Sequence, residues 1–169
     1  MTMLLGLLSD THLAEPDDRL EALLRGPLGP AEVLLHAGDH TGPAVVDYLE
    51  FVEPRPYHGV LGNMDGPGLG GRLPPTRVLE LGGCRVGLVH GWGPPAGLAE
   101  RVAEVFRNEG VQLVVFGHSH AAEDRTIRGV RFVNPGSAFD RRWAPRRTVA
   151  LVEVGPGGVG RVEFVEVPE

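Results

Sequence analysis

Five short apolar runs in this 169-residue chain each stop on a polar side chain able to ligate a metal, and the stops recur at nearly even intervals. Met3–Leu8 leads to Asp10-Thr11-His12, and Val33–His36 to Gly38-Asp39. Residues 57–61 lead to Gly62-Asn63, 85–89 to His90-Gly91, and 113–116 to Gly117-His118-Ser119-His120. The steps from Asp10 through 39, 63, 90 and 118 are 29, 24, 27 and 28 residues, about one supersecondary unit each. Continuous apolar runs of this length fit strands buried on both faces. Residues just past the carboxyl ends of strands in an open α/β sheet converge on one crevice.

Between the runs the pattern changes to that of helices. Asp18 and Glu21 have capping-box spacing, and Leu20, Leu23 and Leu24 follow at helical intervals before Gly26. Residues 44–51 read as a second helix after Pro43. Leu98, Val102, Val105 and Phe106 mark a third, closed by Gly110. Residues 78–81 and 85–89 read as a hairpin about Gly82-Gly83. Residues 125–134, 148–154 and 160–167 read as late antiparallel strands, and 64–75 as a Gly/Pro-rich loop. With no repeat, linker or composition break, the expectation is one α/β domain over residues 1–169, its core sheets covered by helices.

The 25 Gly and 15 Pro approach the level that warns of low complexity, but they punctuate apolar runs, and 42% of the chain is hydrophobic. Disorder is excluded. The net charge of −6, with 16 Arg and no Lys, speaks against a long nucleic acid as partner, because phosphate-backbone affinity needs clustered cations. The apolar start lacks a positive flank and runs straight into Ser9-Asp10, so it reads as a strand, not a signal peptide. No apolar stretch is long enough to span a bilayer. The single Cys84 fits a reducing compartment and reads as a small core residue, so the expected location is the cytoplasm, with no membrane partner.

The polar stops form a metal set. Asp10/His12 and His118/His120 are i, i+2 pairs, which project from one face if the chain there is extended. Imidazole and carboxylate suit Mn²⁺, Fe, Co, Ni or Zn²⁺. Asp10, His12, Asp39, Asn63, His90, His118 and His120 are too many for one ion with an open position. They suit two ions sharing a carboxylate, for which Asp39 is the natural candidate. Two divalent ions about 3.5–4 Å apart clamp the attacking and leaving oxygens of an in-line phosphoryl displacement.

D-x-H, G-D, G-N, H-G and G-H-x-H in this order resemble the calcineurin-like metallophosphoesterase superfamily. The short length and Asn134-Pro135-Gly136-Ser137 resemble its small bacterial and archaeal phosphodiesterase branch, which is related to a retromer scaffold subunit. The resemblance implies a four-layer α/β/β/α sandwich of two mixed sheets flanked by helices. It implies one ion on Asp10, His12, Asp39 and His120, and another on Asp39, Asn63, His90 and His118, with Mn²⁺ favoured. Asp39, Asn63 and His90 would carry the chemistry: a metal-bridging hydroxide attacks a small phosphodiester directly, with no covalent enzyme intermediate. A non-catalytic scaffold on the same fold, and a phosphomonoesterase or dinucleoside-polyphosphate hydrolase, are the alternatives.

Met64 departs from the family's frequent G-N-H-D and can donate no proton, which favours diesters with stable leaving groups over monoesters. Asp65 is then expected to cap the loop that follows it. His36 reads as a hydrogen-bonded core histidine, and His40 as a partner behind the metal ligands or a substrate contact. Arg141 and Arg142 lie in a loop with Arg146 and Arg147, either as a phosphate clamp or as a solvated segment. The neighbouring Trp143 and Pro145 fit a surface or homo-oligomer contact.

Overall fold

Neighbouring residues of β1 (Met3–Leu8) go to different cores, and that alternation sets the layers. The computed structural model describes residues 2–168. Leu5 and Leu7 join Val33 and Leu35 in one cluster, while Leu8 and Leu34 join Leu20, Leu23 and Leu24 in another. The run is uninterrupted in sequence because both faces of the strand are buried.

The first sheet has the order β10 (Gly158–Glu166), β9 (Thr148–Gly155), β1, β2 (Val33–His36), β3 (Tyr57–Gly59). Its β1, β2 and β3 are parallel, while on the other side β9 is antiparallel to β1 and β10 antiparallel to β9. The second runs β4 (Thr76–Leu81), β5 (Cys84–Val89), β6 (Leu113–Val115), β8 (Val130–Asn134), β7 (Glu123–Ile127), with β5, β6 and β8 parallel. Leu5, Leu7 and Val152 of the first sheet pack with Val86, Leu88 and Val115 of the second, and Cys84 is buried in that same core.

Helix α1 (Asp18–Arg25) and α2 (Pro43–Asp47) cover the first sheet, and α3 (Leu98–Val105) covers the second, giving four layers. An eight-residue helix such as α1 is marginal alone. Its three buried leucines, at about 2 kcal/mol each, decide the matter in favour of folding onto the sheet. Among the described residues no helix is long and apolar enough to cross a membrane.

The structure corrects several local expectations. The α1 cap is Asp17, not Asp18: its carboxylate accepts from the backbone N–H of Arg19 and Leu20. The second helix shortens to Pro43–Asp47 and widens into a π turn at Tyr48–Val52, where the Glu53 N–H reaches back to the Tyr48 carbonyl. Residues 125–134 are two strands, folded at Arg128-Gly129, both with positive φ. Such a pair forms a tight hairpin turn, but Arg in place of Asn or Asp hides it from sequence. β8 pairs antiparallel with β7 as the late strands are expected to, but it also lies parallel to β6, so Asn134 ends at the same rim as the other polar stops.

Candidate metal centre

Two carboxylate oxygens lie between two groups of imidazoles. Asp10 Oδ1 is 3.4 Å from His120 Nε2, 3.9 Å from His12 Nε2 and 3.7 Å from His90 Nε2. Asp39 Oδ2 is 3.5 Å from His12 Nε2 and 3.3 Å from His90 Nε2. Asn63 Oδ1 is 2.9 Å from His90 Nε2 and 3.2 Å from His118 Nδ1. All seven expected ligands therefore meet at one rim. Asp39 stands between the two groups, and Asp10 does so as well, which spacing did not foresee. Asp10, Asp39, His90 and His120 are buried while Asn63 is exposed, so the centre opens to solvent on the Asn63 side.

The outer atoms of these side chains show what the inner ones must be. His90 Nδ1 donates to the Ala37 carbonyl at 2.7 Å, and His120 Nδ1 donates to the Asp140 carbonyl. His118 Nε2 donates to the Gly93 carbonyl at 2.9 Å. Each neutral ring has then spent its one N–H, and a bare lone pair faces the centre. Asp10 Oδ2 is taken by the Ser9 hydroxyl and the His118 N–H, and Asp39 Oδ1 by the Met64 N–H, so each carboxylate also has one oxygen turned inward. Asp10 Oδ1, His12 Nε2 and His120 Nε2 are buried with no hydrogen-bond partner. Lone pairs facing lone pairs at 3–4 Å fit divalent cations, which satisfy several acceptors at once.

Without an ion the centre can be balanced only by protons. Burial pushes His90 and His120 down, but the facing carboxylates outweigh it and both are raised. Burial prevails at His12 and His118, which are lowered. Burial also raises Asp10, but His120 and its other partners leave it below its usual value.

The backbone is not extended at these positions. Asp10, His12, Asp39, His118 and His120 all have φ between +50° and +73°. Asp10 and His12 still reach one group, but the His118/His120 pair does not present one face as strand residues would: His120 joins Asp10 and His12, while His118 turns towards Asn63. Each left-handed non-glycine residue costs about 1–2 kcal/mol, so five of them take an appreciable share of a domain's stability of about 5–15 kcal/mol. Surrounding contacts hold them there. Ser137 Oγ donates to the Asp10 carbonyl at 2.7 Å, and Asn134 Nδ2 donates to the Gly117 carbonyl at 3.0 Å, which gives the Asn134–Ser137 turn its part in the centre.

Gly117 is required by close approach. A Cβ there would stand 2.0 Å from Ser9 Oγ and 2.7 Å from Asp10 Oδ2. Gly117→Ala is expected to displace Asp10 and weaken Mn²⁺ binding about 10–100-fold with the fold intact. Calorimetric titration with Mn²⁺, alongside circular dichroism, checks this; parental affinity would contradict it.

Behind the ligands lies a second set of polar groups. Asp65 Oδ2 accepts from the N–H of Asp39 and of Gly62, at 3.1 and 2.8 Å, and its Oδ1 accepts from Thr41 N–H at 2.8 Å. It thus clamps the segment that precedes it, and does not cap the loop that follows. Its side chain is buried, which pushes its pKa up, yet His40 and these N–H groups hold it down at about 2. His40 is 0% exposed, with Nε2 2.6 Å from the Tyr57 hydroxyl and Nδ1 3.5 Å from Asp65. It has no surface to offer a substrate, which corrects that half of the sequence expectation. His36 stacks on His40 with centroids 3.6 Å apart. The Gly38 N–H donates to His36 Nδ1, so Nε2–H is left to donate to Thr11 Oγ1. Burial drives His36 well below its usual pKa, as a core histidine requires.

Arg141 bends back to donate to the Ala144 carbonyl. Arg142, left-handed and half exposed, lies 3.6 Å from Asp140, and its charge reaches His12 and His120.

This architecture and ligand order have counterparts among known proteins. The profile of the calcineurin-like phosphoesterase superfamily domain matches residues 3–157. A probable metallophosphoesterase of Methanothermobacter thermautotrophicus is 33% identical over 135 residues, 80% of this chain and 77% of that protein. A Thermotoga maritima protein, TM1076, solved by solution NMR, superposes with a TM-score of 0.69 at 34% identity, over 98% of this chain and 99% of its own. Vps29 of Entamoeba histolytica complexed with Zn²⁺ superposes with a TM-score of 0.70 at 26% identity, over 98% of each chain. From the matched profile, the archaeal relative and the layered fold that carries these ligands, it follows that the chain belongs to the calcineurin-like phosphoesterase superfamily.

Proposed function

We propose that the chain is a metal-dependent phosphodiesterase, a cytoplasmic enzyme that hydrolyses a small phosphodiester at a two-ion centre. The observation that supports this most is the ring of inward lone pairs on Asp10, His12, Asp39, Asn63, His90, His118 and His120. Asp10, His12, Asp39 and His120 would hold one ion, and Asp39, Asn63, His90 and His118 the other. Mn²⁺ is favoured, with Fe, Co, Ni or Zn²⁺ compatible with the same donors. When bound, such ions supply positive charge to the phosphate oxygens and acidify water towards neutrality.

The chain's own residues do the rest. Two carboxylates neutralise only half the charge of two divalent ions, so the centre is locally cationic inside an acidic protein. His90, His118 and His120 are each locked by one hydrogen bond to a carbonyl, which fixes tautomer and direction before substrate arrives. Asn63 turns Oδ1 inward and keeps its amide N–H groups for a phosphoryl oxygen as negative charge builds. Water attacks phosphorus in line and gives up a proton to solvent as its P–O bond forms; the ester P–O bond breaks, and the leaving oxygen departs with the electron pair and takes its proton from solvent. Met64 offers no proton to that alcohol, so esters with stable leaving groups are preferred.

The test is hydrolysis of an activated aryl phosphodiester with added Mn²⁺. Turnover that is lost on chelation and restored by Mn²⁺, faster on the diester than on the matching monoester, is expected. No turnover with two ions bound per chain would overturn the enzymatic reading. The likeness to Vps29 allows a competing reading, a binding platform on the same sandwich. A chain that holds fewer than two ions in excess Mn²⁺ would support that platform instead.

A further inference from the structure

Arg101 of α3 stands eleven residues past His90 and gathers up the loop between them. Its Nε donates to the Trp92 carbonyl at 2.9 Å and its Nη1 to the Ala96 carbonyl at 3.0 Å, and Nη2 donates to the Pro94 carbonyl. Gly93 and Gly97, with φ of +83° and +78°, pass so close that a Cβ on either would stand 3.2 or 3.3 Å from the guanidinium. The Gly93 carbonyl accepts from His118 Nε2, so the same loop is tied to the metal centre. Four neighbouring carbonyls are thus occupied by two side chains. Such a loop is ordered before any ligand binds, and it loses little entropy on binding.

What this loop holds out to solvent is Trp92, 50% exposed two residues after His90. Met64, 54% exposed, directly follows Asn63, whose Oδ1 is 2.9 Å from His90 Nε2. Two large, exposed apolar side chains therefore leave the backbone within two residues of His90 and Asn63, ligand candidates that touch one another. Neither is needed for the core, and an indole left half in water on a rigid loop is a ready stacking surface. The Met64 thioether, next to Asn63 in the chain, offers a polarisable edge contact for a ring.

We propose that Trp92 and Met64 form an apolar shelf at the mouth of the centre that takes a planar aromatic ring carried by the substrate, with Arg101 as the staple that preforms it. The substrate class is then phosphodiesters with an aromatic ring on one ester arm, not simple alkyl diesters. This rests on the phosphoesterase reading above.

The test is calorimetric titration of the Mn²⁺-loaded protein with phenyl phosphate and methyl phosphate, run beside hydrolysis of an aryl diester. Phenyl phosphate is expected to bind about tenfold more tightly than methyl phosphate. The advantage should fall below about twofold in Trp92→Ala and largely survive in Trp92→Phe. Arg101→Met, which leaves the indole in place but unfastens its loop, should lose at least half of it. Equal affinities in the parent, or a preference that survives Trp92→Ala, would overturn the shelf. An advantage unmoved in Arg101→Met would overturn the staple. If phenyl and methyl phosphate bind alike and the aryl diester is hydrolysed, the shelf falls and the phosphoesterase reading stands. If neither phosphate binds and no diester is hydrolysed, both fall together.

Discussion

Asp39→Asn is expected to lower kcat/KM for Mn²⁺-dependent diester hydrolysis by at least about a thousandfold while moving the melting temperature by less than about 3 °C. Asparagine is one of the few residues that accept the left-handed backbone found at Asp39, where φ is +61°. It can also keep an oxygen for the Met64 N–H, which lies 2.7 Å from Asp39 Oδ1. What changes is the inward atom. A charged oxygen, 3.5 Å from His12 Nε2 and 3.3 Å from His90 Nε2, becomes an uncharged NH₂. An NH₂ has no lone pair to give a cation and adds a donor where one should bind. Mn²⁺ content should therefore fall with the rate, as read by elemental analysis of the dialysed protein. A variant that keeps two ions and near-parental turnover would sink the proposed role of Asp39.

How much of this centre is legible in the sequence depends on the kind of information each residue carries. Asp10, Asp39, Asn63, His90 and His118 are legible because each ends a run that must be a buried strand, and parallel topology then brings strand ends together. Their direction is not. Extended geometry predicts that His118 and His120 project alike, whereas both are left-handed and reach different neighbours. Backbone sign is decided by tertiary contacts such as Ser137 with the Asp10 carbonyl, 127 residues apart, which no local pattern encodes. Asp17 is hidden as the cap because the capping-box spacing of Asp18 and Glu21 points one residue later, and only the backbone angles and the hydrogen bonds from Arg19 and Leu20 N–H identify it. The same limit hid Arg101, whose role consists of three carbonyls that are identical in every sequence.

The overall charge of −6 is misleading in the same way. Much of the acidic surface is already paired, Arg72 with Asp47 and Glu50, Arg125 with Glu100, Arg131 with Asp124. Exposed pairs of this kind contribute little stability, but they leave few free cations to hold a polyanion. The charge that matters for a small phosphate is local. With two divalent ions bound, as proposed, it would depend on Asp10 and Asp39 being too few to neutralise them.

Asp65→Ala is expected to act on the fold first and on the chemistry through it. Three backbone N–H groups, from Asp39, Thr41 and Gly62, end on this one buried carboxylate. Hydrogen bonds to a charged group are worth about 1.5–3 kcal/mol each, and water entering the gap recovers part of that. A net loss of about 3 kcal/mol lowers the melting temperature by about 10 °C in a chain of this size. Asp65→Asn should restore less than half, because all three partners are donors and its NH₂ must face at least one of them. Asp39 and Gly62 close two different strands, so the clamp also sets the distance between Asp39 and Asn63. A misplacement of about 1 Å can cost about a hundredfold in rate. Turnover of the Ala variant, assayed well below its melting point, should fall by about that much in kcat and stay low in excess Mn²⁺. Asp39→Asn should lose activity without losing stability, whereas Asp65→Ala should lose both. An Asp65→Ala protein with parental melting temperature and kcat would show that the strand ends hold their register without it.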